Sequence, residues 1–459
     1  MAVLELKGTQ EYCCTVIKVD KVTPIKNSDF LGVILIDGYS IVVRKDEIKD
    51  GDTVLYISNE CQISNKFLKK NNLYSNIEYN DNYKEVKDLP EEEQKKHKGF
   101  FNANGRVRTI KLKGVQSFGF IIKYQEVENT YGIKYNWDEH IGMCFDTIDG
   151  ETFVKAYIPE IKEPKEKSNK LNKKLKLFDK LIPGKFGFHY DTQLLAKNLD
   201  IFHPNDSITI SVKLHGTSFI CGNILCNKKL PWYKRLINKI HKTYDTTEYQ
   251  EIYSSRKIIK NRWAMEGKHD FYGTDVWGEY AKMLAGKLPK GITIYGEIIG
   301  YVTGSNKYIQ KDYDYGCMPG TNKLMIYRVV SDDNNSKREY TVEEVYNFTK
   351  TLIDVYPALK EHIHPIDILY KGLAGEFGGL DVSHHWQENF LKELQNDKGF
   401  FMEMNEPLCR NKVPREGIVI RKNDDKIPEA FKLKCVKFLT RESKLIDNGD
   451  VDIEMQNNN

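Results

Sequence analysis

No run in this 459-residue sequence is apolar for long enough to cross a bilayer. The apolar runs are short, such as Phe118–Ile122 (FGFII), against the roughly 20 residues a spanning helix needs. The opening MAVLELKGTQEY lacks an apolar stretch after a basic one, so no secretory leader is expected. The nine cysteines are odd in number and include no Cys-x-x-Cys pair. That argues against a disulfide framework or a zinc site, and for free thiols in a reducing compartment. Neither sign of charge dominates: 69 basic against 65 acidic residues leave +4. The chain as a whole is therefore no polyanion coat, and any nucleic-acid site must come from local clustering. A cytoplasmic protein without a membrane partner, acting as a monomer, is expected.

What is present is ample core material, 40% hydrophobic and 12% aromatic residues, in a length suited to two or three domains. Residues 1–130 read as short strands. Ser28–Arg44 alternates on both sides of Asp37-Gly38, a hairpin signal. An OB-like β-barrel that binds nucleic acid fits this pattern, with the charged Glu85–Lys98 as a solvated excursion. Residues 131–184 read as a linker, Lys-rich at 162–180, where eight lysines face three acids. Residues 185–446 read as a mixed α/β domain and 447–459 as a disordered tail. Within the domain, Thr341 and Glu344 have capping-box spacing. Leu225–Lys242 holds six Lys/Arg and no acid. Its Trp232, Leu236 and Ile240 share a helical face, so a half-buried basic helix is expected.

Five segments carry candidate chemistry. In SITISVKLHGTS (207–218), Ile208, Ile210, Val212 and Leu214 share one strand face and Ser207, Thr209, Ser211 and Lys213 the other. Lys213 stands at the strand end beside a Gly-containing loop. In AFKLKCVKF (430–438), Lys432 and Lys434 leave one face together, which is costly unless an anion lies between them; lysines guarding an edge strand are the other reading. GITIYGEIIG (291–300) places Glu297 on the polar side of a strand. VPREGIVIRK (413–422) places Glu416 at the entrance of a strand apolar enough to be covered on both faces. YSSRKIIKNR (253–262) is rich in hydroxyls and cations suited to phosphate. His384-His385 and Cys221/Cys226 have no companion cluster at zinc spacing and are set aside.

This ordered set resembles the covalent nucleotidyltransferase superfamily of polynucleotide ligases and capping enzymes, through KLHGTS (213–218), SSRK (254–257), YGEIIG (295–300), LMIYRV (324–329), EGIVIR (416–421) and FKLKC (431–435). The Lys-x-His-Gly-Thr-Ser form is more similar to RNA ligases. GRVRTIKLKGVQSFGF (105–120) and FHYDTQLLAKN (188–198) resemble RNA ligase family 5, which sets an OB domain before the transferase. Only 25 residues follow Lys434, too few for a barrel there. The resemblance implies an α+β fold: an OB-like barrel, then an adenylyltransferase (ATP-grasp-like ligase) domain of antiparallel sheets with flanking helices.

It also implies an ATP-dependent RNA ligase that joins 3′-OH and 5′-phosphate ends, at nicks in an RNA duplex or RNA/DNA hybrid, through a lysyl–AMP intermediate. Lys213 is then the nucleophile. Lys213, His215, Gly216, Ser218, Arg256, Glu297, Tyr327, Lys432 and Lys434 would contact ATP or AMP, and Glu416 with Glu297 would hold Mg2+ or Mn2+. Cations around Lys213 would favour its neutral form. His215 replaces the family's more usual aspartate. Lys234, Arg235, Lys239, Lys260 and Arg262 are candidate nucleic-acid contacts. A DNA ligase or a capping guanylyltransferase is the nearest alternative; an inactive end-binding module is the alternative of another class.

Overall fold

The computed structural model describes residues 2–26, 28–159, 180–189, 192–261, 272–333, 336–379, 385–396, 402–423 and 429–449. All of the Lys-rich stretch but Lys180, as well as Arg262 and residues 450–459, lie outside them. Two compact units divide the chain: Met1–Pro159 with Leu439–Gly449, and Glu160–Phe438 with Asp450–Asn459.

The first unit is built on short antiparallel strands. Cys14–Lys18 and Thr53–Ile57 form the middle of a four-stranded sheet, flanked by Phe120–Ile122 and Cys144–Phe145. Leu31–Ile36 and Tyr39–Arg44 form the expected hairpin. Asp37 (φ 53°) and Gly38 (φ 79°) supply its two-residue turn in the left-handed region such turns require. The unit does not stop near residue 130. Trp137, Phe145 and Phe153 are fully buried in its core, and Val154–Ala156 pairs with Cys61–Ile63. Large apolar side chains past residue 130 need that core, so residues 131–159 belong to the first unit rather than to a linker. The charged excursion becomes two short helices, Tyr83–Val86 and Glu91–Lys96, the latter without a buried residue.

The expected strand 430–438 is shorter than its segment, and residues 439–446, expected in the second domain, fall in the first unit. The strand ends at Lys434 and a helix, Val436–Asp447, follows. Glu403 explains the switch: its carboxylate accepts hydrogen bonds from the amides of Val436 (2.5 Å) and Lys437 (3.2 Å). An acid supplied from outside the helix caps its first turn and complements its dipole. From Leu439 onward the helix belongs to the first unit, where Arg106 donates to the Ser443 carbonyl and hydroxyl and to Asp447.

The second unit holds two sheets. One runs Gln193–Leu194, Ala430–Lys434, Gly417–Lys422, Ser207–Lys213, Ile368–Leu373. The other runs Thr247–Ser254, Thr217–Asn227, Ile292–Gly300, Asn322–Asp332, Lys337–Glu339, with Ile363–Pro365 beside Asn322–Asp332. Most pairings are antiparallel. The chain passes between the sheets at Leu214-His215-Gly216, the last link between Ser207–Lys213 and Thr217–Asn227. Helix Val342–Val355 starts with the expected capping box of Thr341 and Glu344. The fold is thus α+β, with an OB-type barrel ahead of a sheet-rich domain.

Candidate active site

Alternation along Ser207–Lys213 does what it promised on one side: Ile208, Ile210, Val212 and Leu214 are buried in a common core with Ile418, Ile420, Phe431 and Leu433. The other side is covered as well. Thr209, Ser211, Arg421 and Lys432 are all less than a tenth exposed, so the polar residues form an enclosed layer rather than a wetted surface. Register sets the layer's rows. Ser211 lies opposite Val419 and Val419 opposite Lys432; Lys213 lies opposite Gly417 and Gly417 opposite Lys434. Lys213 and Lys434 are therefore two strands apart, about 10 Å at the usual spacing.

At the end of the last row, Lys213 Nζ lies 2.6 Å from Glu416 Oε1. Burial works against the ammonium. Glu416, then Glu297, outweigh burial and the repulsion from Lys434, and hold Lys213 above its ordinary pKa. Lys434 pushes toward the neutral amine, as expected of a neighbouring cation, but the two carboxylates together outweigh it. The other carboxylate oxygen, Glu416 Oε2, is buried and makes no hydrogen bond. His215 Nδ1 stands 3.9 Å from it.

His215 has a clear packing role. Its ring meets the rings of Tyr313 and Phe438 edge-on, both at 5.0 Å, and its amide donates to Tyr315 Oη at 2.8 Å. Gly216 is required by space: a Cβ there would lie 2.3 Å from the Ile298 carbonyl oxygen. The Gly216 amide donates to Glu297 Oε1 at 3.1 Å, and its carbonyl accepts from Gln310 Nε2 at 2.8 Å. Glu297 itself sits opposite Ser218 in the second sheet. Thus the loop between the sheets carries one carboxylate on each side, Glu416 from the first and Glu297 from the second.

Lys213, His215, Gly216, Glu297 and Glu416 are brought together by these contacts, with Lys434 acting on Lys213 through its charge. Ser218 is buried, and its carbonyl accepts from Trp277 Nε1 at 3.0 Å. Arg256 is half-buried in the turn after Ser254, whose strand pairs with Ile220. Tyr327 Oη lies 3.2 Å from His189 Nδ1. Lys260 is only 8% exposed, with Nζ 4.3 Å from the Trp277 ring centroid. That burial takes it off the outer surface, where a duplex contact would need it. Lys234, Arg235 and Lys239 lie beyond Asn227, at the opposite end of the 11-residue strand from Thr217. At the usual rise per residue the Asn227 end of that strand is roughly 30 Å from the loop.

Sequence reasoning missed Gln310, Tyr313 and Tyr315. They belong to an irregular segment between strands, where no periodicity marks an inward residue. Its signal was the aromatic-acidic stretch KDYDYG (311–316), in which Asp312 and Tyr315 take positive φ, uncommon for residues other than glycine.

Among the described residues no group of three or more His, Cys, Asp or Glu is arranged to hold a metal. No helix there is long and apolar enough to cross a membrane.

A family model described as RNA ligase matches residues 206–439, and one described as an OB-fold domain matches residues 13–123. No curated protein sequence matches the chain. Among solved structures it is similar to Naegleria gruberi RNA ligase. An aspartate-to-alanine mutant of that enzyme in its apo form has 16% identity and a TM-score of 0.54, covering 95% of this chain and 100% of that chain. A lysine-to-alanine mutant with ATP and Mn has 16% identity and a TM-score of 0.51, covering 93% and 98%. A glutamate-to-alanine mutant with AMP and Mn gives 16% and 0.51, covering 93% and 98%. At this identity the likeness establishes the fold. Just over half of the chain, from the strand of Lys213 to the helix after Lys434, matches the RNA ligase model, and the protein belongs to the RNA ligase family.

Proposed function

We propose that the protein seals 3′-OH and 5′-phosphate RNA ends with ATP, by way of an adenylyl group carried on Lys213. One observation carries this reading above the others: a half-buried lysine paired with a buried carboxylate whose second oxygen is left without a hydrogen bond. A purely structural ion pair saturates its acceptors. This one is short of a partner at the place where a family nucleotide would bind.

Nζ of Lys213 attacks the α-phosphorus of ATP. A P–N bond forms, the bond to the bridging oxygen breaks, and pyrophosphate leaves with the electron pair. The ammonium must first give a proton to solvent, and Glu416 with Glu297 holds that proton on. Neutralising those carboxylates favours its loss. A second amine proton passes to solvent as the P–N bond forms. The orphaned oxygen of Glu416 and the nearby Glu297 suit a divalent cation of the hard, oxygen-preferring kind, which binds through one or two carboxylates plus substrate phosphates rather than an all-protein cage. Mg2+ or Mn2+, when bound, supplies positive charge that offsets these carboxylates and the transferring phosphoryl group. Lys432 and Lys434 attract the phosphate charge of the nucleotide, Arg256 takes a phosphate oxygen, and Tyr327 packs toward the base. His215, carrying no acid charge, positions the loop. The adenylyl group then passes to the 5′-phosphate of one RNA end, and the 3′-hydroxyl of the other attacks that phosphate and expels AMP. A nicked duplex, gripped with the help of the barrel, holds both ends in line for the last step.

The test is incubation with ATP labelled at the α-phosphate. Wild type should retain covalent label and Lys213→Ala none, with sealing of an RNA nick lost in parallel. Label persisting in the variant, or label from GTP alone, overturns the reading.

A further inference from the structure

Helix Trp232–Ile240 (WYKRLINKI) faces against expectation, and it is not absorbed by the ligation chemistry. At 100° per residue, Trp232, Leu236, Ile240, Tyr233 and Ile237 fall within an arc of about 140°, and Lys234, Asn238, Arg235 and Lys239 occupy the rest. In a globular protein the apolar arc packs inward. Here it does not: Trp232 is 73%, Leu236 55% and Ile240 75% exposed, and no residue of the helix is buried.

The polar edge is the one tied down. Asn238 accepts from the amides of Thr243 (3.1 Å) and Tyr244 (2.8 Å) and donates to the Tyr244 carbonyl, while Lys234 Nζ sits 4.8 Å from the Tyr244 ring centroid. The following loop therefore grips the polar side and turns five large apolar side chains toward solvent. A patch this apolar on one nine-residue helix marks an interaction surface.

Charge identifies the occupant. Between Leu225 and Lys242 there are six Lys/Arg and no acid. Arg235 and Lys239 border the Trp232 edge of the apolar arc and Lys234 the Ile237 edge, so cations flank it on both sides. Such an arrangement suits a surface that is apolar beneath and anionic at its rim, with long basic side chains reaching outward as the apolar ones sink. RNA offers the anion but not the apolar layer: Leu236, Ile237 and Ile240 are aliphatic, whereas bases stack on aromatic faces. We propose that this helix docks peripherally on an anionic phospholipid bilayer, with Trp232, Leu236 and Ile240 entering the headgroup boundary. Membrane attachment of this kind needs no spanning segment.

The full-length protein would be sedimented with vesicles of phosphatidylcholine alone and of phosphatidylcholine with about 40% phosphatidylserine, at roughly 0.1 M salt. Expected is at least a tenfold higher retention on the anionic vesicles, lost at high salt and lost in the double variant Trp232→Glu/Leu236→Glu. That variant should seal a soluble RNA nick at the wild-type rate, which also reports that it is folded. A milder change, Ile240→Ser, should lower retention severalfold. Equal retention on both vesicle types, no retention, or retention untouched by the substitutions overturns the proposal. So does a loss of nick affinity in the double variant without any vesicle binding by wild type, which would make the helix an RNA contact.

Discussion

Each unit of this protein sets a basic side chain against a buried glutamate, and these two pairs are finished differently. In the first unit Arg106 and Glu60 are bidentate, at 2.6 and 2.8 Å. The remaining guanidinium nitrogen reaches Asp447, and Ser443 accepts as well. Burial alone would lower the arginine, but these acids hold its pKa raised. In the second unit Lys213 and Glu416 meet at 2.6 Å, yet Glu416 Oε2 is buried without a hydrogen bond. An unsatisfied buried acceptor costs free energy, and a chain that saturates one such pair has the means to saturate the other. Completeness marks a tie; incompleteness marks a place held for something that arrives later.

The comparison breaks or sharpens on four measurements. The largest effect should come from Arg106→Ala, which strands a buried carboxylate and costs about 3–5 kcal/mol. Urea denaturation followed by first-unit tryptophan (Trp137) fluorescence would show it, while covalent labelling per folded molecule stays near wild type. Glu416→Gln should weigh the other way: a smaller loss of stability, because the Lys213 it leaves unpaired is partly exposed, and covalent labelling from ATP slowed roughly 100- to 1,000-fold. If Glu416→Gln unfolds the protein instead, the distinction drawn here is wrong.

A smaller effect is set by pH. Because the carboxylates raise Lys213, the neutral amine is scarce near neutrality, and its fraction grows about tenfold for each unit of rising pH below that raised value. Labelling rates under single-turnover conditions should climb with that slope from pH 6 toward 9. Removing the Glu416 charge should shift the climb to lower pH, since burial and Lys434 then act on Lys213 with less opposition. A flat profile in wild type would mean that proton loss does not limit the step. Smallest of all is Thr341→Ala. It breaks one half of a reciprocal cap on helix Val342–Val355 and should cost about 1 kcal/mol, read as a shifted melting transition with unchanged labelling.

Much of the site was legible from one dimension. Period-two alternation oriented Lys213, Glu297, Lys432 and Lys434, because a strand leaves its side chains no choice but to alternate faces. The resemblance implied that Gly216 contacts the nucleotide; the structure adds a different demand on it, the close approach of the Ile298 backbone. Elsewhere local pattern met competition. Alternation in Ala430–Phe438 runs only from Phe431 to Cys435, and Glu403 captures the amides of Val436 and Lys437 and starts a helix. Helix Trp232–Ile240 was correct as an element and wrong in its facing, since amphipathicity says that two sides differ and not which side finds a partner. His215 offered a charge puzzle that became a packing answer only when Tyr313 and Phe438 closed on its ring.

By itself, the amino-acid order determined the strands, their polar and apolar sides, the turn at Asp37-Gly38, and the family to which the chain belongs. Tertiary structure alone decided which charges are satisfied and which are left open. That difference has a physical cause: alternation and turn chemistry act between neighbours along the backbone. The hydrogen-bond partners of a buried carboxylate come from distant strands, and they are counted only once those strands have met.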